Sequence, residues 1–195
     1  MNLLGAGDLA DLSEDIASKR AIDAVWQETG DFVLRRGMWN FAIRAVEIGH
    51  DEDVQALFGY SNAFLKPDDW VNTVSLGSDP TFMTEFEAFK DEGGYWHADA
   101  DPLYVRYVSS DPQYGWNVGR WTADFAQAVA AYLAFMSNLP ISSDRGNRND
   151  MFQLYEKRLA EAKIRDAVDE PVQRRKPGRL VTSRFSGSRW NRMQG

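Results

Sequence analysis

The chain has 195 residues, enough for one domain with a core of its own, and no cysteine, which excludes a disulfide framework and thiolate chemistry. Residues 171–195 hold seven of the 22 cations and no acid; taking those seven away leaves 15 cations against 29 acids, a net of −14 for the body. No apolar run approaches the ~18 residues of a membrane span, and the start, "MNLLGAGDLADLSEDIASK", lacks the basic and long apolar regions of a signal peptide, so folding in a cytoplasm is expected.

In chain order, the first predicted element is a helix over residues 9–34, with Ser13 as N-cap and Gly37 closing it as a C′ residue. Ile16, Ile22, Val25, Trp26, Phe32 and Val33 recur at roughly helical spacing within it. A shorter helix is expected over residues 38–47, ended by Gly49-His50-Asp51. Within it, Trp39 and Phe41 would point about 200° apart, which no single burial face accommodates. Either they sit at a junction between helices or one of them faces a partner.

Residues 50–118 change character. Proline and glycine punctuate β-type runs at 70–76, 85–90, 94–98 and 102–108, and Asp91-Glu92-Gly93-Gly94 stands where a hairpin turn belongs. A small antiparallel meander is the expectation. Helix returns in "GRWTADFAQAVAAYLAFMSNLP", where Trp121, Phe125, Ala128, Tyr132 and Phe135 form one stripe that Pro140 stops. "ISSDRGNRND" reads as a polar loop, and a last amphipathic helix runs over 150–168 with Asp150 as its cap. From Pro171 onward the chain has no periodicity and is rich in Arg, Ser and Gly, as expected of an extended tail that orders only on binding.

The sum is a mainly α protein. Residues 1–50 and 119–170 form a helical bundle, 51–118 an inserted β-element with loops, and 171–195 an extended basic tail.

Signatures of catalysis are sparse. No GxSxG, Walker A, HExxH or GxGxxG pattern occurs. His97, Asp99 and Asp101 of "HADAD" would share one face of an extended strand, a possible trio of metal ligands, but a polar turn before Pro102 is the favoured reading. Asp68-Asp69 and Asp51-Glu52-Asp53 read as solvated or capping acids. No enzyme and no cofactor are expected.

The order of motifs resembles the head-to-tail adaptor (connector) proteins of tailed bacteriophages of the tail tubular protein A type. Leu34, Arg35, Trp39, Asn40, Phe41, Ala42 and Arg44 match that family's Leu-Arg element followed by Trp-Asn-Phe-Ala and a basic residue. Phe64, Leu65, Pro67 and Asp68 match its aromatic, Leu-Pro and Asp, with Lys66 intervening; Trp70-Val71 replaces the arginine usual after that Asp. "DEGGYWHADADPLYVRYVSSD", "WTADFAQAVAAYLA" and "LYEKRLAEAKIRDA" follow in the family's order, and the likeness covers roughly residues 5–170. The resemblance implies a structural virion protein of the neck or tail, assembled in the bacterial host cytoplasm. It implies a homo-oligomeric ring, typically dodecameric, that joins the portal protein to the tail nozzle or next tail protein. Genomic DNA would pass through its lumen without sequence-specific binding, and no membrane is involved.

On that reading Arg35, Arg36, Trp39, Phe41 and Arg44 are candidates for the contact between subunits. Arg174, Arg175, Lys176, Arg179, Arg184, Phe185, Arg189, Trp190 and Arg192 are candidates for docking the tail segment on the portal. Extended, those 25 residues would reach ~80 Å at about 3.3 Å each. The alternative is a nucleic-acid-binding module that uses the same tail, since Arg interleaved with Phe and Trp suits phosphates and bases. A −14 body opposes it. Finding the Trp-Asn-Phe-Ala element sealed within one isolated subunit with no copies around it, or the tail unresolved in an assembled particle, would leave this reading without support.

Overall fold

The computed structural model describes residues 17–57, 59–82, 88–141 and 145–169. Three helices are present: α1 (Ala17–Leu34), α2 (Ala123–Ile141) and α3 (Arg145–Asp169). Between α1 and α2 lie six strands: β1 (Ile43–Ile48), β2 (Asn62–Leu65), β3 (Trp70–Gly77), β4 (Lys90–Glu92), β5 (Tyr95–Ala98) and β6 (Leu103–Ser109). They form two antiparallel three-stranded sheets, ordered β1-β6-β3 and β2-β5-β4. Of the described residues 45% are helix and 23% strand, a mixed α/β fold that overturns the mainly α bundle expected from the sequence. Among the described residues no helix is long and apolar enough to cross a membrane.

The largest single correction falls on residues 38–47. A 3-10 turn (Asn40–Ala42) leads into β1 where a helix was expected. Ile43, Val46 and Ile48 are β-branched and crowd the preceding turn of a helix, while a pleated strand accommodates them. Strand β1 then pairs along its whole length with β6, from Ile43 opposite Val108 to Ile48 opposite Leu103. The meander also gives way. Only β4 and β5 form a tight hairpin, with Glu92 opposite Tyr95, and β2 joins them from a segment not foreseen as a strand. The two-residue turn needs φ > 0 at both positions, which Gly93 (61°) and Gly94 (85°) supply.

Three layers result. Strand β6 is central to the first sheet and shows a different partner on each face. Its Leu103, Val105 and Tyr107 pack with Leu76 of β3 against Phe64, Trp96 and Ala98 of the second sheet. Its Val108 joins the helical core, which holds Val33, Leu34, Trp39, Phe125, Val129 and Tyr155. Of the predicted stripe, Phe125 and Ala128 are fully buried in this core, Tyr132 stacks on Phe32 at 4.4 Å, Trp121, just before α2, meets Phe125 edge-on at 5.0 Å, and Phe135 packs instead between Tyr132 and Phe152.

Helix boundaries differ in detail. Helix α2 ends one residue beyond Pro140, and α3 begins at Arg145, so Asp150 is inside a helix and caps nothing. Ser13 and the start of the first predicted helix lie outside the described residues, as do 85–87 of the predicted strand at 85–90. Gly37 is required for a reason other than a left-handed C′ position: a Cβ there would lie 2.7 Å from the Trp39 ring.

Candidate interaction surface

The Trp-Asn-Phe-Ala element builds the subunit from within. Trp39 is 1% exposed, its Nε1 donates to the Val33 carbonyl at 3.2 Å, and its ring meets Phe125 edge-on at 4.8 Å. Phe41, half-buried, packs on the same Phe125 at 4.9 Å. Because the segment is a 3-10 turn and not an α-helix, the two rings lie on one side, 6.4 Å apart. Asn40 fastens the turn to the end of α3: its backbone N–H donates to the Asp166 carboxylate at 3.1 and 3.2 Å, and its Nδ2 donates to the Asp166 carbonyl at 2.7 Å. Ala42 is fully buried. Trp39 therefore has no surface to offer a neighbour, and Phe41 belongs chiefly to the intramolecular aromatic cluster.

Arg44 is likewise engaged inside the subunit. Its guanidinium donates to Asp69 at 3.1 Å and lies 5.5 Å from the centre of the Tyr114 ring. Asp69 also accepts hydrogen bonds from the Tyr107 hydroxyl, at 3.0 and 3.1 Å, and from Ser109 Oγ. Burial alone would raise the Asp69 pKa, but the donors Ser109, Tyr107 and Arg44 together hold it below its ordinary value. The bond from Arg44 to Asp69 keeps the guanidinium above its usual value. Burial, then the hydrogen bond to Asp69, pushes the Tyr107 phenol up. This node locks the start of β3 to the ends of β1 and β6. The sequence reading had taken Asp69 for a solvated acid.

A second polar node joins the sheets. Lys66, its side chain 8% exposed, pairs with Asp91 and places Nζ 3.6 Å from the centre of the Trp70 ring. Thr73 Oγ1 donates to Asp91 at 3.2 Å and accepts from the indole nitrogens of Trp70 (3.1 Å) and Trp96 (2.8 Å). Every heteroatom of this group is matched, and the ammonium is held by an aromatic face as well as a carboxylate. Lys66 thus organises the hairpin, and its backbone N–H also donates to the Gly94 carbonyl at 3.1 Å.

One set of exposed groups lies at the helix-proximal end of the sheets. Arg35 and Arg36, both exposed, follow the last turn of α1, and Arg36 lies 4.5 Å over the Phe32 ring. With Gly37, Met38, Trp70, Asn72, Thr73 and Asp91 they line an open cleft of about 510 Å³. Met38 is 58% exposed, and the Asn72 amide donates to the Arg35 carbonyl at 2.8 Å, fixing one wall. On α3, beyond the Asn40–Asp166 clamp, Ile164 (65% exposed) and Val168 (77%) leave an apolar strip. With Glu161, Arg165 and Asp169 they line a smaller hollow of about 350 Å³.

The "HADAD" residues are dispersed among other tasks. His97 is buried and accepts from the Leu57 N–H at 3.4 Å, Asp99 caps Ser61 through its N–H (2.7 Å) and Oγ (2.9 Å), and Asp101 pairs with His50 at 2.9 Å. Among the described residues no group of three or more potential metal ligands converges. The tail candidates Arg174, Arg175, Lys176, Arg179, Arg184, Phe185, Arg189, Trp190 and Arg192 lie outside the described residues. No protein-family model matches the chain, and no curated protein matches it.

Proposed function

We propose that the chain is a structural adaptor of a phage virion, a subunit of a ring between the portal and the tail. The carrying observation is the ordered run of motifs from Leu34 to the last helix. The Trp-Asn-Phe-Ala element acts in this reading as the hinge pin of the subunit, tying α1, α2 and α3 to β1, while the contact between copies falls to its flanks. Arg35, Arg36 and Met38 before the element, and Ile164 and Val168 beside it, present exposed cationic and apolar groups at one end of the molecule. Exposed apolar residues rimmed by charge are the composition of an interface.

The acidic body suits a conduit for DNA, because like charge keeps phosphates from adhering. The basic tail, with Phe185 and Trp190 as anchors, would strap each subunit to an acidic groove of the portal, and a ring of such straps gains through effective concentration. Deleting 171–195 should leave a folded protein that no longer co-purifies with a portal ring. Normal docking by the truncated chain would exclude the strap.

A further inference from the structure

Two features at opposite ends of the first sheet differ in charge: the cleft lined by Arg35 and Arg36, and the turn at 51–53; Asp68, exposed, also stands at the cleft end. Register fixes the ends: Ile43 faces Val108 and Trp70 faces Ser109 near the helices, whereas Ile48 faces Leu103 about 17 Å away along β1. At the near end stand Arg35 and Arg36. At the far end β1 runs into the turn at 51–53, where Glu52 and Asp53 are exposed, with exposed Asp99 and Asp101 on the neighbouring loop.

The acidic turn is tied down by hydrogen bonds. Asp51 N–H donates to the Ala63 carbonyl at 2.8 Å, and Asp53 N–H donates to Asp51 Oδ1 at 3.1 Å. Asp51 thus holds the turn, while the Glu52 and Asp53 carboxylates have no partner among the described residues. The cleft at the other end offers Arg35 and Arg36, the Met38 thioether and the Trp70 ring. Its other walls are Asn72 and Thr73, which are neutral, and Asp91, which Lys66 neutralises. The cleft is therefore cationic on balance.

From this juxtaposition we infer that the Arg35/Arg36 cleft of one copy receives the Glu52-Asp53 turn of the next. The two surfaces lie at different ends of the subunit, so the contact is heterologous and propagates into a ring or a chain, not a closed two-fold pair. Preformed geometry on both sides keeps the ordering cost small. The contact is the joint of the ring proposed above and rests on that reading.

Charge reversal tests it, using full-length chains in sedimentation velocity at low salt, where exposed charges are least screened. The wild type should associate as concentration rises. R35E/R36E alone and E52R/D53R alone should each weaken association by at least about a hundredfold, since like charges then face each other. An equimolar mixture of the two variants should associate again, because the intact cleft of one meets the intact turn of the other. R35Q/R36Q, which adds no new charge, should lie between, and unchanged thermal midpoints would show that all variants fold. Failure of the mixture to associate, or a wild type that stays monomeric throughout, overturns the contact. If R35E/R36E instead loses docking to a portal ring while copies do not associate, the cleft serves another protein: the joint is then wrong and the adaptor reading stands.

Discussion

Replacing Trp39 by alanine separates a core residue from an interface residue. The side chain is 1% exposed, donates to Val33 and packs on Phe125 beneath Gly37. Truncating a buried tryptophan costs about 3–5 kcal/mol through lost transfer energy and the cavity left behind. The Val33 carbonyl loses its indole donor, which adds roughly 1 kcal/mol if water does not reach it. For a chain of this size each kcal/mol moves the melting temperature by about 2–4 °C, so the variant should melt at least ~6 °C below the wild type as an isolated subunit. Thermal denaturation of the monomer, followed by tryptophan fluorescence and far-UV circular dichroism, measures this. Trp39→Phe should recover part of the loss, since a ring still meets Phe125. A Trp39→Ala subunit as stable as the wild type would refute the reasoning and return the residue to the interface.

The Asp69 node has a pH signature. A carboxylate held below its unfolded pKa contributes stability that is fully present above that value, about 3.9, and is lost as pH falls through the folded value. Stability should therefore fall below about pH 4, and Asp69→Asn, expected to cost about 1–3 kcal/mol at pH 7, should narrow its gap to the wild type in acid; acid and neutral melts of both proteins measure it. Gly115→Ala should destabilise by about 1–3 kcal/mol, because its Cβ would lie 2.2 Å from the Ser109 carbonyl oxygen, a backbone atom at the end of β6; chemical denaturation reads this directly. Titrating DNA against salt addresses the tail: weak binding with a shallow slope is expected, whereas a log–log slope near −6 would mark a protein that grips phosphates with all seven tail cations.

The sequence displayed those elements whose signals are local. β-type runs between prolines and glycines marked β3, β5 and β6, Gly93-Gly94 marked the hairpin turn, and the spacing of Phe125, Ala128 and Tyr132 marked the buried side of α2. Residues 38–47 misled because aromatic side chains between arginines imitate an amphipathic helix. The β-branched Ile43, Val46 and Ile48 were the weaker but correct signal, and pairing with β6, some sixty residues later, decided between them.

Asp69 was opaque for a related reason: its partners Arg44, Tyr107 and Ser109 are 25, 38 and 40 residues away, so no window of sequence contains the node. Lys66 could have been suspected, since a lysine between Phe64 and Trp70 has an aromatic face within reach. Of the expected subunit-contact residues, Arg35 and Arg36 are on the surface, while Trp39 and Arg44 serve the fold and Phe41 leans toward it.

The account turns on assembly. For the proposed adaptor role, mass photometry of the 195-residue chain mixed with phage portal rings measures it most directly. The account predicts a portal particle heavier by a fixed, whole multiple of 22.1 kDa, reached at saturation and lost on deleting 171–195. Portal particles that keep their own mass at saturating chain would contradict it.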